Sequence, residues 1–243
     1  MKELVMGFLS DLFKGKPSPK SFPYDMVLVC GGTFMMGSNK ADDEEPKHRV
    51  TISDFYIGKY LVTQREWQYI MGNNPSYFKG NSLPLEQITW QMANDFILKL
   101  NQKTGFCFRL PTEAEWEFAA RGGNNSNQYD FPGSDDIEEV GWYEYNSEKK
   151  THPIGLKKPN ELGIFDMCGN VWEWCSDWYG ENYYADSPQN NPKGPITGKL
   201  RVYRGGSMNS YDGDCTVSSR YQSDWMDKGL LVGIRLAHSQ FSS

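Results

Sequence analysis

The chain is poor in the residues that build compact metal or redox motifs. Its three histidines, His48, His152 and His238, lie far apart without an H-x-x-x-H pattern, and no two of its five cysteines are spaced C-x-x-C. A local zinc or dithiol motif is therefore excluded. An odd cysteine count, in a chain of 243 residues that is long enough to bury a core without staples, argues against a disulfide framework. No apolar run reaches the ~18 residues of a spanning helix, and the N-terminus lacks the basic, apolar and small-residue regions of a signal peptide. As written, the chain reads as soluble and cytoplasmic, unless a partner, an anchor or a removed leader displays it at a surface. Positive charge is in the minority, 25 basic against 31 acidic residues for a net −6, so no footprint for nucleic acid exists.

What is present suggests one domain from residue 25 to 243, preceded by a short arm at 1 to 24. In the arm, Leu4, Val5, Phe8, Leu9, Leu12 and Phe13 recur at helical spacing, and the Pro- and Ser-rich GKPSPKSFP follows as a linker. An amphipathic helix there docks on its own domain, or serves as a partner or membrane-surface anchor.

MVLVCGGTFMMGS predicts a strand, a bend and a second strand; ADDEEPK predicts a solvated loop; VTISDFYIGKYLV alternates as a strand. Thr63 with Glu66, and Thr112 with Glu115, form capping boxes, in which hydroxyl and carboxylate each satisfy an end amide. Between them a helix from about Thr89 to Lys103 sets Met92, Ala93, Phe96, Ile97 and Leu100 on one stripe, with Gly105 as its stop. From residue 124 the pattern changes to short strands, aromatic clusters and long Gly/Asn/Pro-rich loops. Capped helices followed by such a region describe an irregular, loop-rich α+β domain.

Trp116, Phe118, Ala119 and Ala120 read as core, and Cys168 and Cys175 as buried free thiols. GNVWEWCSDW reads as a strand carrying two indoles. Within it Glu173 is the exception, because a carboxylate in an aromatic strand must be paired, protonated or bound to a metal.

Six blocks occur in order: GGTFMMGS, YIGKYLVTQREW, FRLPTEAEWEFAARGG, GIFDMCGNVWEWCSDWY, RVYRGGS and GIRLA. Together they resemble the formylglycine-generating enzyme (sulfatase-modifying factor) family over roughly residues 25 to 238. The resemblance implies an elaborated C-type lectin-like fold. It also implies a structural calcium ion held by Asp166, Gly169, Val171 and Glu173, a set of hard oxygen ligands.

The family's enzymes oxidise a client cysteine with O₂ at a copper(I) ion held by two cysteines, soft ligands suited to that ion. Counted from Ser207, the first of these positions is Ser210 and the second Cys215. A hydroxyl is a hard, weak ligand, so copper is not expected and the chain is not expected to be an enzyme. Any oxidase would have to work from Cys215 beside Ser207, and Cys215 itself reads as a core residue in the pattern C-T-V-S-S-R. Another active branch uses an iron site with histidines from an additional domain, and no His cluster is present here.

Between RGGS and GIRLA stand Met208, Asn209, Ser210, Tyr211, Asp212, Asp214, Ser218, Tyr221, Gln222, Ser223, Asp224, Trp225, Met226 and Asp227. Aromatics supply rigid contact area and small polar residues supply adaptable hydrogen bonds, a paratope-like mixture. A branch with this fold, the variable proteins of diversity-generating retroelements, confines its diversified ligand-binding residues to this segment. The resemblance thus implies a non-catalytic, monomeric receptor for a protein or other surface ligand, bound through about residues 208 to 230. An ordinary aromatic-rich loop, an enzyme using Cys215, and a scaffold working through its N-terminal helix are the alternatives.

Overall fold

In the computed structural model, residues 23–227 and 231–239 are described. The proposed N-terminal helix lies outside them, as do residues 228–230 of the candidate surface. Strands β1 (Met26–Val29) and β2 (Gly32–Met36) flank the expected bend. The stretch read as one strand after the acidic run is two, β3 (His48–Ile52) and β4 (Phe55–Gly58). The break has a cause: the Asp54 carboxylate accepts the Gly31 N–H at 2.7 Å, and the Ser53 N–H donates to Asn191 Oδ1 at 2.8 Å. These bonds replace ladder pairing, so β3 pairs β2 while β4 joins a different sheet. The acidic run is also not wholly solvated, since Asp42–Glu44 forms a 3-10 turn and Glu44 is buried as an acceptor for the Ser38 hydroxyl.

Helices α1 (Gln64–Met71), α2 (Trp90–Thr104) and α3 (Glu113–Ala120) start at Thr63, Thr89 and Thr112, each hydroxyl accepting an amide of the first turn. Both capping boxes form. α1 and α2 stop at Gly72 and Gly105, whose φ values of 80° and 76° are left-handed and suit glycine.

Strands β5 (Phe108–Arg109) and β10 (Ala237–Ser239) complete a sheet ordered β1-β4-β10-β5. The second four-stranded sheet, β8-β7-β6-β9, contains β6 (Trp172–Trp178), β7 (Leu200–Arg204), β8 (Arg220–Asp224) and β9 (Val232–Gly233). β6 separates two cores because successive side chains face opposite ways. Trp172 and Trp174 pack with Trp67, Phe96 and Leu100 of α1 and α2, whereas Cys175 packs with Trp116, Phe118 and Ala119 of α3. The C-terminal strands β7 to β10 are thus built into both sheets. Whatever loops they carry are held on a fixed frame.

Candidate functional site

The candidate surface starts where β7 ends. Gly205 and Gly206 take φ values of 97° and 77°, and a Cβ on Gly206 would overlap Cys215 Sγ, so only glycine lets the turn lie on that thiol. Ser207 donates its N–H to Ser210 Oγ at 3.0 Å and its hydroxyl to Asn209 Oδ1 at 2.6 Å. Outside the turn, Met208 N–H donates to Asn170 O at 2.9 Å and Glu144 N–H to Ser210 O at 3.0 Å. The Ser147 hydroxyl donates to Met208 O at 2.6 Å. A 3-10 turn, Asp212–Cys215, follows, and Asp214 ties it down by accepting from Tyr211 N–H at 3.1 Å and from the Tyr221 hydroxyl.

Beneath this loop lies a layer of charge that sequence reasoning missed. Every residue of α3 is buried, including Glu113, Glu115 and Glu117. Arg220 grips Glu113 through two bonds of 2.7 and 2.8 Å. Arg204 pairs with Glu117 and donates to Ser218 O and Ser219 O. Burial pushes the Glu117 carboxyl up, but the guanidiniums of Arg121 and Arg204 overcome it and hold the group below its ordinary range. The signal was available in EAEWEFAA, for a helix with Trp, Phe and Ala on all sides must also bury its glutamates. Buried glutamates call for arginines.

The structure sorts the fourteen proposed contact residues. Asn209, Tyr211, Asp212, Tyr221, Asp224, Trp225 and Met226 are exposed, and Asp214, Gln222, Ser223 and Asp227 are partly so. Met208, Ser210 and Ser218 are not contact residues as expected: they are 7%, 6% and 3% exposed, drawn inward by the turn and by the packing around Arg204. Trp90 N–H donates to Trp225 O at 3.1 Å, which fixes the Trp225 backbone to the start of α2.

Tyr145 was not foreseen. It is 72% exposed, and its ring centroid lies 6.0 Å from that of Tyr211. Sixty-odd residues of sequence separate the two, and no local pattern links them. Tyr221 packs its ring 4.8 Å from that of the buried Trp172.

The expected calcium ligands have other partners. Both oxygens of Glu173 are engaged by Arg235, at 2.7 to 3.2 Å, and one also accepts the Trp116 indole N–H at 2.9 Å. Asp166 accepts Gly155 N–H at 2.7 Å, and burial pushes its carboxyl up to about 6. A calcium ion at Glu173 would have to displace a buried guanidinium, so the residues present do not fit it. Among the described residues no three His, Cys, Asp or Glu side chains gather as a metal site.

Nor do Ser210 and Cys215 supply the two thiolates of a copper site. The Ser210 hydroxyl is tied into its own turn, and Cys215 is fully buried in a cluster with Ile137, Val140, Tyr143 and Cys168. Burial pushes the Cys168 thiol well up, with Cys215 beside it adding to the effect. A thiol raised in this way, as Cys168 is, is a poor nucleophile near neutral pH.

The chain belongs to the sulfatase-modifying factor enzyme 1-like domain family, whose model matches residues 13–240. Among its relatives is chaperone protein LppX of Paenibacillus barcinonensis, 34% identical over 266 residues, covering 89% of this chain and 90% of that protein. The formylglycine-generating enzyme of Streptomyces coelicolor is 42% identical over 146 residues, 54% of this chain and 44% of that enzyme. The solved structure of Treponema denticola variable protein 1 is 31% identical with a TM-score of 0.83, covering 88% of this chain and 94% of that one. Among the described residues no helix is long and apolar enough to cross a membrane.

Proposed function

We propose that the chain is a non-catalytic ligand-binding protein, acting as a monomer, whose contact surface is the exposed side of residues 209 to 227 together with Tyr145. The observation that carries this reading is Ser210. Where the family's enzymes place a soft sulfur, this chain has a hydroxyl turned inward and hydrogen-bonded to Ser207. Around it stand rigid aromatics and small polar groups that face solvent, the composition of a binding surface. The similarity to Treponema denticola variable protein 1 over most of both chains supports the same reading, and its sharpest form is a receptor diversified by a retroelement.

An oxidase is the second reading, favoured by the similarity to formylglycine-generating enzyme. It needs Cys215 as an accessible thiolate, and that side chain is fully buried.

Two experiments test the proposal. The gene from several isolates should show changes concentrated at the exposed positions between 209 and 227, with Ser207, Cys215 and Arg220 constant; changes scattered evenly over the chain would remove the variable-receptor form. Copper(I) titration should give no tight stoichiometric binding. Tight binding with oxidation of a cysteine peptide would overturn the whole reading in favour of the enzyme.

A further inference from the structure

Exposed rings on this surface have carboxylates beside them: Asp214 accepts from Tyr211 N–H and from the Tyr221 hydroxyl, and Asp212 follows Tyr211 in the chain. Between residues 205 and 230 the acidic side chains are Asp212, Asp214, Asp224 and Asp227, and the basic ones are Arg220 and Lys228, the second outside the described residues. Arg220 is buried and bonded to Glu113, so it offers no positive charge to a ligand. On the adjoining segment are Lys149 and Lys150, the second paired with Glu148. Asp212 and Asp224 are exposed, and each carboxylate accepts from a nearby backbone amide, Gly213 N–H at 2.9 Å and Met226 N–H at 2.8 Å. Their charge faces outward.

We infer that the Tyr145–Tyr211–Tyr221 surface recognises a positively charged protein segment, one rich in Arg and Lys. This rests on the binding reading above and specifies its partner. Aromatic faces attract guanidinium and ammonium groups, and the aspartates supply the counter-charge at hydrogen-bonding range. A neutral or acidic segment would have to desolvate the same carboxylates with nothing to pair them, which selects against it. The ring surface provides contact area, and the carboxylates provide the sign.

The test is selection from a random-peptide phage library on the immobilised full chain, followed by anisotropy measurements with the enriched peptides. The expected result is enrichment of Arg and Lys, with affinity falling about tenfold between low and moderately high salt as the charges are screened. Tyr211→Ala with Trp225→Ala should abolish binding at an unchanged Tm. Asp212→Asn with Asp224→Asn should weaken it severalfold, while the same charge change at Asp25→Asn with Asp54→Asn, on the β1 and β4 side, should leave it unaltered. Equal weakening by both pairs would reduce the effect to net charge and overturn the inference. Enrichment of neutral or acidic peptides that still depend on Tyr211 and Trp225 would overturn it and leave the binding surface standing. No enrichment, or peptides indifferent to Tyr211 and Trp225, would overturn both.

Discussion

The indole N–H of Trp116 lies 2.9 Å from Glu173 Oε2, joining α3 to the start of β6, and Arg235 completes the arrangement from the strand region before β10. Three distant segments therefore meet at one carboxylate. Replacing Glu173 by Gln leaves Arg235 buried without a counter-charge, and removing one partner of such a pair costs about 3–5 kcal/mol. Urea denaturation of Glu173→Gln should show a loss of that order; a loss under about 1 kcal/mol would show that the pair does not organise the core.

Because that carboxylate already has its cation, calcium should not contribute to stability. A ligand that binds only the folded state raises stability by RT ln(1 + [L]/Kd). Melting with calcium and with a chelator should coincide, and a Tm raised by calcium would restore the metal site.

Asp177, near the end of β6, reaches the start of α3, its carboxylate accepting Glu113 N–H at 3.0 Å and the Ser176 hydroxyl at 2.9 Å. Burial and then the neighbouring Glu113 charge push this carboxyl up to about 7. A carboxyl raised above its unfolded value near 4 stabilises the fold fully below that value and loses the contribution as pH rises through about 7. Asn keeps the acceptor oxygen without a charge. Asp177→Asn should thus gain on the order of 2 kcal/mol over the parent at pH 8, and little at pH 4. Denaturation curves at both values decide the matter.

Stability and binding should separate within the loop. Cys215→Ser puts a hydroxyl into the pocket of Ile137, Val140 and Tyr143, at a cost of about 1–3 kcal/mol, and should leave peptide binding intact. Tyr211→Ala should do the reverse, changing stability by less than about 0.5 kcal/mol while binding is lost. Loss of binding in Cys215→Ser at a temperature where it stays folded would return the thiol to the functional site.

Two of the three capped helices were readable because a hydroxyl and a carboxylate three residues apart act locally, as Thr63 and Glu66 do. The same holds for the apolar stripe from Ala93 to Leu100. Ser53 and Asp54 were harder, since their partners Asn191 and Gly31 lie in other segments and only the folded chain brings them together. At the candidate site, composition marked Tyr211, Tyr221 and Trp225 but not which neighbours face inward. Ser210 and Tyr211 are adjacent, and the turn at Ser207 sends one to the interior and the other to solvent. Glu173 was recognised as needing a partner, and Arg235, 62 residues on, was invisible to any local pattern.

The position of Trp225 has a practical consequence. Of the eight tryptophans, Trp67, Trp116, Trp172 and Trp174 are buried, Trp90, Trp142 and Trp178 are intermediate, and Trp225, at 38%, is exposed. Its backbone is pinned to α2 while its ring stands in the proposed contact surface. The protein therefore carries its own optical reporter there: acrylamide should quench a red-shifted component of the emission, and a bound partner should shield it without any attached dye.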